Sequence, residues 1–315
     1  MSTDTTDLRQ SADGATAPPG RPFVAAEIDR QPESWRAAAK LVGREAAVLP
    51  RPGARVAAIG CGTSWFMAQA YAAIRESAGL GLTDAFAASD FPADRDYDVV
   101  VAISRSGTTT EVIRAIDGIS SPVVGITAVA GTPVVGVADE AIVLDFADEQ
   151  SVVQTVFATT ALALLRASLG EDVDALAEQA SAVLDGANPV PAEAVDVDQI
   201  TFLGQGGAFG IAQEAALKMR EAARLWTESY PQMEYRHGPI AVAQPGRAVW
   251  LFGAPVPGIV ADVARTGAML VEDDLDPMVD LVRAHRLAVV RARRRGLDPD
   301  HPRSLTRSVV LDVRD

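Results

Sequence analysis

The sequence predicts an α/β protein of parallel sheets covered on both faces by helices, and three observations predict it. Short apolar runs of buried-strand type recur along the chain, such as "RVAAIG" (55–60) and "YDVVVAIS" (97–104). Each is followed by a turn and a helical pattern, the crossover that parallel strands require. Two units, "AAIGCGTSWFMAQAYA" and "TFLGQGGAFGIAQEAA", repeat one order of strand, Gly-rich turn and helix, which points to an internal duplication into two lobes.

The elements follow in order. Residues 1–22 are polar and acidic, lack the apolar core of a signal peptide, and read as a disordered tail. The first lobe is expected over 23–185 and the second, with a C-terminal tail, over 186–315. A helical pattern over 25–43 places Trp35, Ala39 and Val42 on one face. Strand, turn and helix then alternate through "RVAAIG", "WFMAQAYAAIRESAG", "YDVVVAIS", "RSGTTTEVIRAI", "PVVGITA" and "AIVLDF", with a short strand around 84–88. "QSVVQTVFATTALALLRASLG" reads as one long helix stopped by Gly170, followed by an acidic helix and a Pro-containing linker up to residue 197. The second round gives a strand and Gly-rich turn at "QITFLGQGG", a helix at "AFGIAQEAALKMREAARLW", a strand at "AVWLFG", a helix and then a candidate strand at "PGIVADVARTGAMLVEDD", and a terminal amphipathic helix "DPMVDLVRAHRLAVVRARRRG".

Composition narrows the function. The 315 residues are 48% hydrophobic, ample for a core, and 42 acidic against 28 basic residues give a net charge of −14. Such a field repels nucleic acid, so any bound phosphate must be held by local amides and hydroxyls. A single cysteine, Cys61, excludes an internal disulfide and a multi-cysteine zinc site, and fits a reducing cytoplasm. No apolar run approaches the roughly 20 residues that span a bilayer, so no membrane role is expected.

Ligands of open parallel sheets sit at the carboxyl ends of strands. Three loops qualify: "GCGTS" (60–64), "SRSGTTTE" (104–111) and "GQGGAFG" (204–210). The second gathers Ser104, Ser106, Thr108, Thr109 and Thr110 around Gly107. One such hydroxyl would merely cap a helix. Five around a glycine suit a phosphate monoester, which needs inward donors and close backbone approach. The loop has no lysine and is not a nucleotide P-loop, and neither Gly-rich turn matches GxGxxG. Farther on, Glu214, Lys218 and Glu221 share one helix face. They form either an exposed ion-pair ladder or, with His237 in "MEYRHGP", a proton-transfer group. His285, among arginines, and His301 read as surface residues. Cys61 reads as a packed small residue.

The ordered motifs "EIDRQPESW", "IGCGTSWFMAQAYA", "AASDF", "AISRSGTTTEVIRAI", "DEQSVVQTVFATTA", "LGQGGAFGIAQEAALKMRE", "EYRHGPIAV" and "HPRSLTRSVVL" resemble the sugar isomerase (SIS) domain family, and in particular the isomerase half of glucosamine-6-phosphate synthase. The resemblance implies two flavodoxin-like SIS subdomains and a homodimer with shared sites. It implies a phosphosugar cradle of Gly62, Thr63, Ser64, Ser104, Arg105, Ser106 and Thr109, with Glu149, Ser151 and Thr155 in a segment that closes over the sugar. By the same resemblance Glu221 moves a proton between C1 and C2, Lys218 is the cation beside it, and His237 opens the ring, often for the neighbouring subunit. No metal or redox cofactor is implied. Two departures bear on the reaction. The sequence shows no glutaminase domain, and Arg307 stands where the synthase has its Schiff-base lysine; a guanidinium forms no imine. The expected activity is therefore that of standalone relatives, amino-sugar-phosphate deaminase/isomerases and fructosamine-6-phosphate deglycases, with a hexose or amino-sugar 6-phosphate as partner. A plain aldose–ketose phosphate isomerase and a non-catalytic phosphosugar-binding protein are the alternatives. A carboxylate on the substrate is one expected role for Arg307.

Overall fold

The computed structural model describes residues 20–311. The expected disordered tail lies, but for its last three residues, outside the described residues.

Helix α1 (Phe23–Glu45) opens the chain and buries Val24, Ile28, Gln31, Trp35 and Ala38, spaced by four and three residues as one helical face requires. Its first amides are capped from far along the chain, because Phe23 N and Val24 N donate to the Asp300 carboxylate at 2.7 and 2.8 Å. The first sheet holds β1 (Val56–Gly60), β2 (Thr83–Ala87), β3 (Val99–Ile103), β4 (Val123–Thr127) and β5 (Glu140–Val143), all parallel, in the order β2-β1-β3-β4-β5. That is the doubly wound order of flavodoxin-like sheets. Helices α2 (Thr63–Ser77), α3 (Thr110–Ile116), α4 (Pro133–Val137), α5 (Val156–Ser168) and α6 (Val173–Leu184) complete this lobe. The second sheet pairs β6 (Gln199–Gly204), β7 (Trp226–Pro231), β8 (Arg247–Leu251) and β9 (Met269–Val271) in the order β7-β6-β8-β9, again all parallel, with α7 (Gly207–Ala223), α8 (Ile259–Thr266) and α9 (Pro277–Arg294). The α/β expectation holds for both sheets. In β1, β3, β4 and β6 every residue is buried, as strands covered on both faces must be.

Two elements differ from the sequence reading. The long helix expected over 150–170 begins only at Val156, because Glu149 folds under its N-terminus and holds residues 150–155 as a loop. The helix expected over 208–226 stops at Ala223. Arg224 adopts the left-handed conformation (φ +50°), its amide bonding back to Arg220 O while Leu225 N bonds to Met219 O. The chain then extends into β7, an edge strand.

The two lobes meet through α2 and α7. Gly210 makes the contact possible: a Cβ there would lie 2.4 Å from Phe66 O and 2.8 Å from Ala70 N. Gly207, where a Cβ would lie 2.7 Å from Ile74 Cγ1, serves the same close helix packing. One hydrophobic core runs through both lobes, joining Trp35, Phe157, Phe202, Trp250 and Met278.

Candidate functional site

Strands β1 and β3 are neighbours with Gly60 opposite Ile103, so the loops that leave them start side by side. The first loop turns at Gly62 (φ +54°, ψ −123°), the N-cap of α2, and delivers Thr63 and Ser64, both buried. Cys61 beside them is a neutral thiol, its pKa pushed up to about 11 by burial and by Glu111, as a packed residue should be. The second loop leaves β3 through Ser104, Arg105 and Ser106, all buried, and turns at Gly107 (φ +63°). Only glycine fits there, since a Cβ would stand 2.0 Å from Thr132 Oγ1.

Within the second loop the hydroxyls lie in two close groups. Ser104 Oγ donates to Thr109 Oγ1 at 3.3 Å, and Thr108 N donates to Ser106 Oγ at 3.2 Å. A residue that the sequence did not single out joins them. Ser308, from the C-terminal tail, lies 3.0 Å from the Ser106 hydroxyl and 2.9 Å from that of Thr108, which is itself 3.0 Å from Ser106 Oγ. The tail is pinned along this loop by Thr110 N to Val309 O (3.2 Å) and Leu311 N to Thr110 Oγ1 (2.9 Å).

Arg105, Glu149, Ser151 and Arg307 belong to a framework behind those hydroxyls. Arg105 is buried and donates to Ser151 O (2.9 Å) and Arg307 O (2.8 Å), with Glu149 at 3.9 Å. The Glu149 carboxylate accepts from the amides of Thr155, Val156 and Phe157, capping α5. Ser151 donates to Glu27 of α1. Glu27 also accepts from the amide of Gln150 at 2.6 Å, and burial, then Glu149, raises its pKa to about 6. Sequence reading missed Glu27, although it sits in the quoted motif "EIDRQPESW". The Arg307 guanidinium is taken up by the Asp148 carboxylate and Glu149 O.

Helix α7 supplies the charged group. Lys218 is buried and reaches three partners: Thr63 Oγ1 at 3.0 Å, Glu221 at 2.5 Å, and Glu214 at 3.4 Å. This settles the ladder question, because Glu214 and Lys218 face the interior. Burial opposes the lysine's charge, but the two carboxylates outweigh it and raise its pKa. Glu214 contacts Lys218 as an ion pair without hydrogen-bond alignment, and burial pushes its pKa up to about 7. Glu221, its side chain 19% exposed, opens onto a cleft of about 520 Å³.

His285 corrects the sequence reading. It is buried, not a surface residue: Gln31 Nε2 approaches its Nδ1 at 3.4 Å, and its Nε2 lies 3.9 Å from Glu214. Burial, then Lys218, depresses its pKa to about 3, so the ring is neutral. His301 is exposed and pairs with Asp298. His237 follows the short turn Glu234–Arg236 and is exposed. Among the described residues, no hydrogen bond or ion pair joins its ring to Lys218, Glu221 or the loop hydroxyls.

Comparison with known proteins agrees with this architecture. The SIS domain model matches residues 51–168. The glutamine–fructose-6-phosphate aminotransferase [isomerizing] of Pyrobaculum aerophilum is 28% identical over 97% of this chain and 60% of its own length. That of Methanothermobacter thermautotrophicus is 28% identical over 82% of this chain and 52% of its own. The chain thus spans about half to three fifths of the curated relatives it matches. Among solved structures, glucosamine-6-phosphate deaminase from Thermotoga maritima superposes with a TM-score of 0.79 at 23% identity, covering 92% of this chain and 100% of that one. Tagatose-6-phosphate ketose/aldose isomerase from Escherichia coli gives 0.73 at 19%, covering 90% and 97%. At such identities these two structures bear on the fold. Residues 51–168 thus match the SIS domain, within a chain that is similar in sequence and fold to these relatives along most of its length.

Proposed function

We propose that this chain is a phosphosugar-isomerising enzyme that acts on an amino-sugar or fructosamine 6-phosphate. One observation carries the reading: Lys218 bridges Thr63, at the mouth of the hydroxyl-lined loops, and Glu221, a partly exposed carboxylate at a cleft. Phosphate recognition and proton transfer are thereby joined by one buried cation. Relatives named as a glutamine–fructose-6-phosphate aminotransferase and a glucosamine-6-phosphate deaminase support the amine-bearing substrate.

In this reading the hydroxyls of Ser104, Ser106 and Thr109 hold the phosphate. His237 opens the sugar ring, acting from a second copy of the chain, since in its own chain it is joined to none of the site residues. Glu221 then removes the proton from one of C1 and C2 and returns it to the other, while Lys218 stabilises the developing oxyanion. For a 2-amino sugar the product is a C2 imine, and for a 1-amino ketose a C1 imine. Water adds across the C=N bond, the C–N bond breaks, the amine leaves with its proton, and the water oxygen remains as the carbonyl. Arg307 forms no imine, so the amine comes and goes without a covalent enzyme adduct.

The test is incubation with glucosamine 6-phosphate, a fructosamine 6-phosphate and fructose 6-phosphate, assaying released amine and new carbonyl sugar. Amine release is expected from one of the first two. Turnover of fructose 6-phosphate alone would make the chain a plain isomerase. No turnover together with thermal stabilisation by a hexose phosphate would make it a binding protein.

A further inference from the structure

Behind Lys218, three helices bring together polar groups that the proposed reaction does not use. Helix α9 supplies His285, α7 supplies Glu214 and α1 supplies Gln31, all buried. Among the described residues, no group donates a hydrogen bond to either Glu214 oxygen, and none pairs with His285 Nε2. Buried polar groups so placed carry a desolvation cost, and their arrangement calls for a reason.

The hydrogen bonds around the ring decide which of its nitrogens carries the proton. Gln31 Nε2 lies 3.2 Å from Ile28 O, and a carbonyl only accepts, so this end of the amide is the NH2. The other end agrees. Gln31 Oε1 accepts from the Thr159 hydroxyl at 2.9 Å, and Thr159 Oγ1 in turn accepts at 3.0 Å from Trp35 Nε1, which can only donate. The Gln31 NH2 therefore donates to His285 Nδ1 at 3.4 Å. With Nδ1 accepting and the ring neutral, the proton sits on Nε2, the nitrogen 3.9 Å from Glu214 Oε1.

That contact is longer than a hydrogen bond, so the N–H acts on the carboxylate as a dipole in a dry interior, where such interactions are strong. Around Glu214 stand Lys218 and Arg220 of its own helix, Thr63 at the start of α2, and His285. Around His285 stand Lys218, Glu149 and Glu221 besides Glu214. Lys218 is drawn from two sides, by Glu214 at 3.4 Å and by Glu221 at 2.5 Å. Whatever favours the ionised form of Glu214 loosens the hold of the lysine on Glu221.

We propose that His285 is a positioning residue for the acid–base group: its Nε2–H favours the Glu214 carboxylate, which takes a share of the Lys218 charge and leaves Glu221 a stronger base. The effect on turnover rests on the function proposed above; the hold on Glu214 stands apart from it.

NMR on the intact protein and two variants tests both. His285→Phe keeps the bulk of the ring and removes both nitrogens. His285→Gln restores their polarity, since its amide oxygen can accept from Gln31 while its NH2 faces Glu214. Long-range proton–nitrogen spectra of the intact protein, which has three histidines, should show His285 with its proton on Nε2 throughout the range from about pH 8 to about pH 5. A proton on Nδ1 overturns the proposal, even if His285→Phe does not fold. The Glu214 carboxyl, followed by carbon NMR in glutamate-labelled protein, should titrate at about 7. In His285→Phe the midpoint should rise by about one pH unit, the scale on which a single neighbour moves a carboxylate, and in His285→Gln it should return. A midpoint unmoved by His285→Phe, or not restored by His285→Gln, overturns the hold on Glu214. Amine release from glucosamine 6-phosphate or a fructosamine 6-phosphate should climb with pH as Glu214 ionises, and that climb should follow the midpoint from variant to variant. Turnover whose climb stays put sinks the link to Glu221. A moving midpoint without turnover on any substrate sinks the proposed reaction and leaves the hold on Glu214 intact.

Discussion

Glu149→Gln distinguishes a carboxylate that holds the scaffold from one that faces the sugar. The Glu149 side chain is fully buried. One oxygen accepts from Val156 N at 2.8 Å, from Thr155 N, and from Thr155 Oγ1 at 3.0 Å; the other accepts from Phe157 N at 3.2 Å. An amide offers only one acceptor oxygen, so whichever way it turns, its NH2 confronts a backbone N–H. That orphans at least one buried donor, at about 1–3 kcal/mol. It also removes the negative charge 3.9 Å from the buried Arg105 and beneath the α5 N-terminus, for roughly another 2 kcal/mol. The sum is about 3–5 kcal/mol, which for a chain of this size lowers the melting temperature by on the order of 10 °C. Circular dichroism melts of the intact protein and the variant, with hexose 6-phosphate affinity measured at a temperature where both are folded, give the comparison. Affinity should change little. A melting temperature within about 2 °C of the parent, combined with lost sugar-phosphate binding, would refute the capping role and return Glu149 to the sugar.

The remaining predictions can be tested on the same preparation. Glu221→Gln should abolish turnover, by about a thousandfold or more for loss of a proton-transfer group, while phosphosugar affinity is retained; lost affinity with unfolding would make Glu221 structural. Gly107→Ala forces a Cβ to within 2.0 Å of Thr132 Oγ1 at φ +63°, so a loss of about 2–3 kcal/mol in denaturant titration and weakened phosphate binding are expected, and an unchanged midpoint would contradict the turn geometry. Glu214 has its pKa raised from 4.5 to about 7, so its contribution to stability is fully present below pH 4.5 and is lost as pH rises to about 7. Glu214→Gln should therefore gain up to about 3 kcal/mol on the parent between those limits, read as the difference between two stability–pH curves. His285 acts oppositely, its depressed pKa lending stability above pH 6.5 that is lost as pH falls toward about 3. Parallel curves for parent and variant would rule out a titrating Glu214.

Much of the fold was legible because parallel strands buried on both faces announce themselves as unbroken apolar runs, as "RVAAIG" and "YDVVVAIS" do. Strand β7 was not, since "WTESYP" pairs on one side only, buries just Thr227 fully, and follows a helix whose stop is an arginine rather than a glycine. The start of α5 was set too early because residues 151–155 continue its apolar pattern, while the carboxylate that breaks the helix acts through space. In the site, the loop hydroxyls and the Glu214–Lys218–Glu221 face were readable from spacing. His285 was misread because its arginine neighbours look like a solvated face. In the structure Arg283 lies over the Trp250 ring, and Arg291 donates to Ala194 O and Val197 O, so that face is interior too. Ser308 was invisible as a partner of the loop hydroxyls, being some 200 residues away and brought back by the tail.

The close crossing of α2 and α7 has a consequence for what can be bound. At most helix interfaces, side chains intervene, and repacking them lets the helices slide. Where Gly210 meets Phe66 and Ala70 the contact is main chain on main chain, and nothing there can be trimmed or repacked to alter the spacing. Helix α2 begins at Thr63, beside the hydroxyl loops, and α7 carries Glu221. The crossing therefore works as a caliper. Under the proposed function, it sets how far apart a ligand's phosphate and its reacting carbons must be, from a place that the ligand never touches.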